Sequence, residues 1–304
     1  MSRRRFGTRV FLIICAVAAA GGLGLLLMSS LIPSRGVPRG GMRTRPRPSS
    51  AILTRVRIPE KVVALTFDFD MTPGMLFRLQ SGEIDAWYDP AVLDLLSKER
   101  IPHTIFITGL AALAYPALAR SFAHDRLIEL GSHSHRHFAF APDCFGLPFI
   151  GEGRAREDIE TAQQTIRGIT GVTPRYFRFP GGCLRAGDVA IVNRLGLRIV
   201  HWDVAAGDAF NPDADSIAHY VEDRARPGSI IAFHLGGPNA PATADALRAI
   251  IPDLRAHGYK FTTVTGLLAL QECGAKGPVA RRFLPFSLTP VAWKAPCRDR
   301  PPVL

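Results

Sequence analysis

Acidic residues are absent from the first fifty positions of this 304-residue chain, which carry nine arginines instead. The formal net charge of +11 therefore does not describe the whole molecule. Residues 51–304 hold 28 basic and 26 acidic residues, a net of +2. A nearly neutral body lacks the basic footprint of a nucleic-acid-binding surface, so nucleic acid is excluded as a partner. No CxxC pair occurs among the five cysteines, which argues against a thiolate zinc site. Cys15 lies in an apolar segment. Cys144, Cys183, Cys273 and Cys297 suit up to two disulfides in an oxidising compartment, in any of three pairings. There is no internal repeat. What is abundant is apolar material, 47% of the chain, enough for a sizeable core.

Residues 10–31 form an almost unbroken apolar run after an arginine-rich start. The run has the length of a membrane span of about 20 residues. Residues 1–9 are then a basic start on the cytoplasmic side, by the positive-inside rule. The segment Ala16-Val17-Ala18 also suits a signal peptidase, so secretion after cleavage is the alternative. The length of the run favours an uncleaved anchor. The expected location is a bacterial inner membrane, single-pass, with the remainder outside the cytoplasm. Residues 32–57, rich in Pro, Gly, Arg and Ser, read as a disordered linker. Residues 58–270 are expected to form one folded domain and 271–304 an irregular, Pro-rich extension.

Within the domain, buried strand patterns alternate with helical ones, as in a parallel α/β architecture. Strands are expected at 61–67, 103–108, 127–131, 176–179, 197–202, 229–234 and 260–264. Helices are expected from Asp89-Pro90 to Lys98 and at 111–122, 152–169, 187–195, 213–226 and 242–257. Residues 71–87 and 138–151 read as insertions.

Five clusters close strand-like runs: Thr66 to Asp70, His133 to His137, Arg178 to Gly182, Trp202 to Asp208, and Phe233-His234. In alternating β/α barrels the loops after the strands meet on one face, where the chemistry sits. His133 and His137 with a carboxylate from elsewhere form a divalent-metal donor set, whereas an isolated H-x-x-x-H would read as surface. His135 between them reads as a bystander. Asp68 and Asp70 share one side of a strand and suit a base or a ligand. Arg178 holds a carboxylate ionised and oriented. Asp208 or Asp203 fixes the tautomer of His234.

At these residues the chain resembles the polysaccharide deacetylases of carbohydrate esterase family 4, the NodB-homology domain. The five motifs read TFDFD, HSHRH, RFPGG, WDVAAGD and AFH, in the family's order. The resemblance implies a distorted (β/α)7 barrel. It also implies a metal-dependent hydrolase that removes N-acetyl groups from peptidoglycan or a chitin-like oligomer. Asp68 becomes the general base, His234 the acid, Arg178 the positioner of Asp68, and Asp208 the tether of His234. His133 and His137 become ligands of a divalent metal, zinc first, with cobalt or another transition metal as alternatives. The Gly181 N–H would bind the oxyanion, and Phe233, Trp202 and Leu235 would enclose the acetyl methyl. Phe69 stands where the family has a second Asp ligand. Either Asp70 replaces it after a small change of loop path, which is preferred, or two histidines hold the metal with waters. Gly181-Gly182 would widen the bowl. Trp87, Tyr88 and Phe138 either stack on sugars or pack locally. An O-acetyl esterase and an inactive glycan-binding module are the rival functions. The oligomeric state is left open.

Overall fold

The computed structural model describes residues 52–275. The apolar run at 10–31, most of the linker and most of the C-terminal extension lie outside the described residues. Among the described residues no helix is long and apolar enough to cross a membrane.

Eight strands form one sheet: β1 (Val62–Phe69), β2 (His103–Ile107), β3 (Ile128–Ser132), β4 (Tyr176–Phe177), β5 (Arg198–Ile199), β6 (Val204–Ala205), β7 (Ile230–His234) and β8 (Lys260–Phe261). Their order is β5-β4-β3-β2-β1-β7-β6, with β8 paired to the start of β1. Every strand pair is parallel. This is the curled parallel sheet with outer helices of a distorted (β/α)7 barrel.

The central strand shows why the barrel forms here. All eight residues of β1 are buried. Val63, Leu65, Phe67 and Phe69 pack outward with helix residues such as Val92, Leu96, Leu247 and Ile250. Val62 and Ala64 face the interior with Phe106, Tyr176, Val200 and Ile230. A strand covered on both faces requires a continuous apolar run, and β1 supplies one until Asp68. The helix Val264–Ala275 contributes Leu267, Leu268 and Leu270 to the interior cluster. It extends past residue 271, where irregular chain was expected.

The helix Pro90–Lys98 begins as expected, with the Asp89 carboxylate accepting from the Ala91 N–H. The helix expected over 111–122 is broken into Gly109–Ala114 and Pro116–His124. Pro116 cannot continue the first helix and starts the second. The insertion 71–87 contains a helix, Pro73–Gln80, capped by Thr72. Residues 53–56, read as linker, are part of the barrel. Leu53 bridges to Val200 and Arg55 to Ser229. Val56 is fully buried, and its N–H donates to the Gly228 carbonyl. This short strap joins the flank of β5 to the entry of β7.

Candidate active site

The interior side of β1 continues through Thr66 and Asp68 to Asp70, because alternate residues share a side. At the mouth of the barrel these carboxylates meet residues from five other strand ends. Asp68, Asp70, His133, His137, Gly181, Trp202, Asp208 and His234 line one cavity of about 380 Å³.

Arg178 follows β4 and is fully buried. Its Nη1 donates to Asp68 Oδ1 at 2.7 Å and its Nη2 to Thr66 Oγ1 at 2.8 Å. The carbonyls of Val200 and His201 accept from Nε and Nη2, each at 3.2 Å. The guanidinium lies 3.9 Å from the Phe106 ring centroid. Phe106 in turn needs Gly131, where a Cβ would come within 2.5 Å of its ring. Burial alone would raise the pKa of Asp68. The charge of Arg178, joined by His133 and His234, outweighs it and holds the carboxyl below its ordinary value.

The Nε2 atoms of His133 and His137 lie 3.5 and 3.2 Å from Asp70 Oδ1. One ligand atom from each of these three residues falls within 4.8 Å of the others. The His133 Nδ1 meets the Arg178 carbonyl at 2.9 Å, which turns Nε2 toward the cavity. Burial lowers the pKa of both histidines, that of His137 to about 4, so both offer neutral lone pairs. Burial raises the Asp70 pKa against the pull of His234 and His133. Its Oδ1 is buried without a hydrogen-bond partner. A buried carboxyl oxygen without a hydrogen-bond partner, set between two neutral imidazoles, is a donor set that fits a divalent cation, whose charge would favour the ionised form.

Asp70 reaches this position by strand alternation alone, without a change of loop path. Phe69 points the other way. Its ring is buried, 5.5 Å from Tyr115 and 6.0 Å from Tyr88 between centroids. Asp70, not Phe69, is the carboxylate-bearing position that stands beside His133 and His137.

His234 ends β7. Its Nδ1 lies 2.9 Å from Asp208 Oδ1, and its backbone N–H donates to Asp208 Oδ2 at 2.8 Å. The Thr243 hydroxyl donates to the same Oδ2 at 2.7 Å. Burial lowers the pKa of His234, but Asp208, with Asp70 and Asp68, overrides it and lifts the value to about 10. Asp203 serves elsewhere: it accepts from the Ser229 hydroxyl, the Ile230 N–H and Arg226. The tether is Asp208.

Several expected substrate contacts are absent from the cavity wall. Phe233 and Leu235 alternate away from His234 and sit in the outer core, with Phe233 stacked on Phe67. Trp87 is buried, and its indole N–H donates to the Met75 carbonyl. Tyr88 packs against the same core, and Phe138 lies under Arg136. Gly181 and Gly182 do not widen the bowl. A Cβ at Gly181 would fall 2.6 Å from Cys144 Sγ, and one at Gly182 2.9 Å from the Trp202 ring. The space is filled by the Cys144–Cys183 disulfide and by Trp202. His135 is a bystander. Its backbone N–H donates to Asp158 Oδ1 at 2.7 Å, while Arg136 donates to Oδ2 at 3.0 Å. Asp158 thus pins the loop whose two ends are His133 and His137. Thr243, Asp158, Phe145 and Phe210 escaped the sequence reading, and Thr66 stood in the first cluster without a role of its own. Only the two threonines had a signal, each a hydroxyl on an element that faces the site.

The polysaccharide deacetylase family model matches residues 55–200. A chitooligosaccharide deacetylase of Azorhizobium caulinodans is 32% identical over 186 residues, covering 56% of this chain and 83% of that one. The chain belongs to the polysaccharide deacetylase family. Membership makes it a hydrolase of that class. A peptidoglycan-N-acetylglucosamine deacetylase of Bacillus cereus is 28% identical over 229 residues, 75% of this chain and 97% of that one. Among solved structures, a family 4 acetyl xylan esterase from Clostridium thermocellum in complex with a cobalt ion superposes with a TM-score of 0.54. It is 28% identical and covers 69% of this chain and 91% of that one.

Proposed function

We propose that the chain removes N-acetyl groups from a cell-wall or related glycan, peptidoglycan or a chitin-like oligomer. The observation that carries this reading is the meeting of Asp68, Asp70, His133, His137 and His234 in one cavity. Asp70, His133 and His137 would hold a divalent ion, zinc first and cobalt next. Such an ion supplies Lewis acidity, lowering the pKa of water and drawing electron density from the acetamide oxygen.

The residues of the chain divide the proton work. Asp68 is ionised, and Arg178 engages only its Oδ1. Its Oδ2 is left to accept the proton of a water that attacks the acetamide carbon. The developing oxyanion would be met by the Gly181 N–H, from a cavity-lining turn where the residue has a φ of +61°. His234, with Nδ1–H held by Asp208, gives the proton on Nε2 to the departing amine. The carbon–nitrogen bond breaks, leaving acetate and a free amine. Trp202 forms an apolar wall for the acetyl methyl.

Acetate release from N-acetylated peptidoglycan and chitooligosaccharides, with zinc or cobalt and with chelator, tests the reading. Metal-dependent release is the expected result. Chelator-insensitive release, or none from either glycan, overturns it. The likeness to an acetyl xylan esterase keeps an O-acetyl ester as the second substrate to assay. The reading also places the domain outside the cytoplasm, tethered through residues 10–31. Fractionation with an antibody to the domain tests that point.

A further inference from the structure

Phe145 and Phe210 are large apolar side chains left in solvent, 68% and 74% exposed. Single exposed apolar residues are ordinary on protein surfaces. These two differ in three ways. They come from separate loops, yet their rings lie 5.5 Å apart at 42°. Both line the cavity that holds Asp68, Asp70 and His234. And Phe145 has a φ of +48°, a left-handed conformation that is unfavourable for a bulky residue. An unfavourable backbone that presents an apolar ring to water gains nothing from folding alone, and strain of this kind gathers at ligand sites.

The anchoring of both rings points the same way. Phe145 follows Cys144, whose disulfide to Cys183 fixes this loop to the Gly181 turn. Phe210 stands two residues after Asp208, on a turn closed by its own N–H to the Gly207 carbonyl at 2.9 Å. The rings therefore hang on the two turns that flank the proposed reaction, beside Leu147 and Ala209 on the same wall. An aromatic surface with an apolar wall behind it and water in front suits a pyranose. The C–H face of the sugar buries against the rings while its hydroxyl edge stays hydrated.

We propose that Phe145 and Phe210 form a stacking platform for the sugar next to the one that is deacetylated. The site then takes an N-acetylhexosamine oligomer in preference to a single N-acetylated sugar. This rests on the deacetylase reading for its substrate class.

The test is calorimetric binding to the full chain in the presence of chelator, which separates binding from turnover. The probes are N-acetylglucosamine and its β-linked pentamer. The wild type should bind the pentamer more tightly than the monomer. Phe145→Ala with Phe210→Ala should weaken pentamer binding about tenfold or more, since two apolar contacts are lost. Phe77→Ala, which removes an equally exposed ring away from the cavity, should leave it unchanged. Melting temperatures should not move, because the rings are exposed. Equal pentamer affinity in the double variant and the wild type overturns the platform, as does equal affinity of the wild type for the two probes. Acetate release by metal-loaded wild type reports on the reaction separately. Pentamer binding that the double variant loses, without acetate release, keeps the platform and sinks the deacetylase. Release with unchanged pentamer binding does the reverse.

Discussion

The Asp208 carboxylate grips His234 twice, at the ring Nδ1 and at the backbone N–H of the same residue. Its Oδ2 also accepts the Thr243 hydroxyl. The imidazole is thereby fixed in orientation, and its Nε2 faces Asp70 at 3.6 Å. Asp208→Asn is expected to keep the fold but lose the charge that sustains the imidazolium. The rate constant kcat for acetate release should fall by roughly 10²–10⁴, with KM little changed. A rise in KM at constant kcat would assign the pair to substrate binding instead.

Asp70→Ala removes the orphaned oxygen between His133 and His137. Metal affinity, measured by equilibrium dialysis, should fall by more than the roughly 10–100-fold typical of losing a partner behind a ligand. Asp158→Asn supplies that milder comparison, because Asp158 acts only through the loop that carries the two histidines. Equal metal content in the wild type and Asp70→Ala would leave the donor set without its carboxylate.

Phe69→Asp restores the family's usual motif on paper and should fail in practice. The new carboxylate would lie among Tyr88, Tyr115 and Phe122, with no cation beside it. Burying an unpaired charge in place of a packed ring should destabilise the domain by about 3–5 kcal/mol or more. Chemical denaturation measures this. A variant as stable as the wild type, with tighter metal binding, would mean that position 69 can turn to the site.

These cases show what was legible in the sequence and why the rest was not. The order of the strand ends and the period-2 pattern of β1 were enough to bring Asp68, His133, Arg178 and His234 together. The same period made Asp70 a site residue and Phe69 a core residue, once the strand was known to run to Phe69. The assignment of Phe233 to the cavity neglected that rule, since its neighbour His234 already faced inward. Trp87 and Tyr88 looked available because residues 71–87 read as an excursion. Their burial depends on the helix Pro73–Gln80, whose packing is not a local property. The Cys144–Cys183 pairing and the contact of Phe145 with Phe210 join distant loops, which no spacing encodes.

His103 carries a pH dependence of stability. Burial pushes its pKa down to about 4, although Nδ1 is bonded to the Ile101 carbonyl. Below pH 6.5 the unfolded chain binds a proton that the folded chain refuses until about pH 4. Stability from this site is intact at pH 7, is lost as pH falls through that window, and is constant below it. The difference amounts to about 3 kcal/mol. Denaturant unfolding at pH 7 and pH 4.5 should show a smaller loss for His103→Asn than for the wild type. An equal loss would remove His103 from the account.

The Cys144–Cys183 bond spans 39 residues of sequence. Closing a loop of this length restricts the unfolded chain by up to about 4 kcal/mol. Replacing both cysteines by serine should lower the unfolding free energy by that order, read as a lower Tm. An unchanged Tm would show that the 138–151 loop is held by packing alone.

The strap at residues 53–56 sets a practical limit on how the domain can be trimmed. The Leu53 carbonyl accepts the N–H of His201, and the carbonyls of Val200 and His201 receive two of the guanidinium bonds of Arg178. The first described residues are thus a remote brace for the arginine that orients Asp68. A fragment starting at residue 58 would keep every motif, yet it would release that brace. It should lose activity for a reason no inspection of its motifs would reveal.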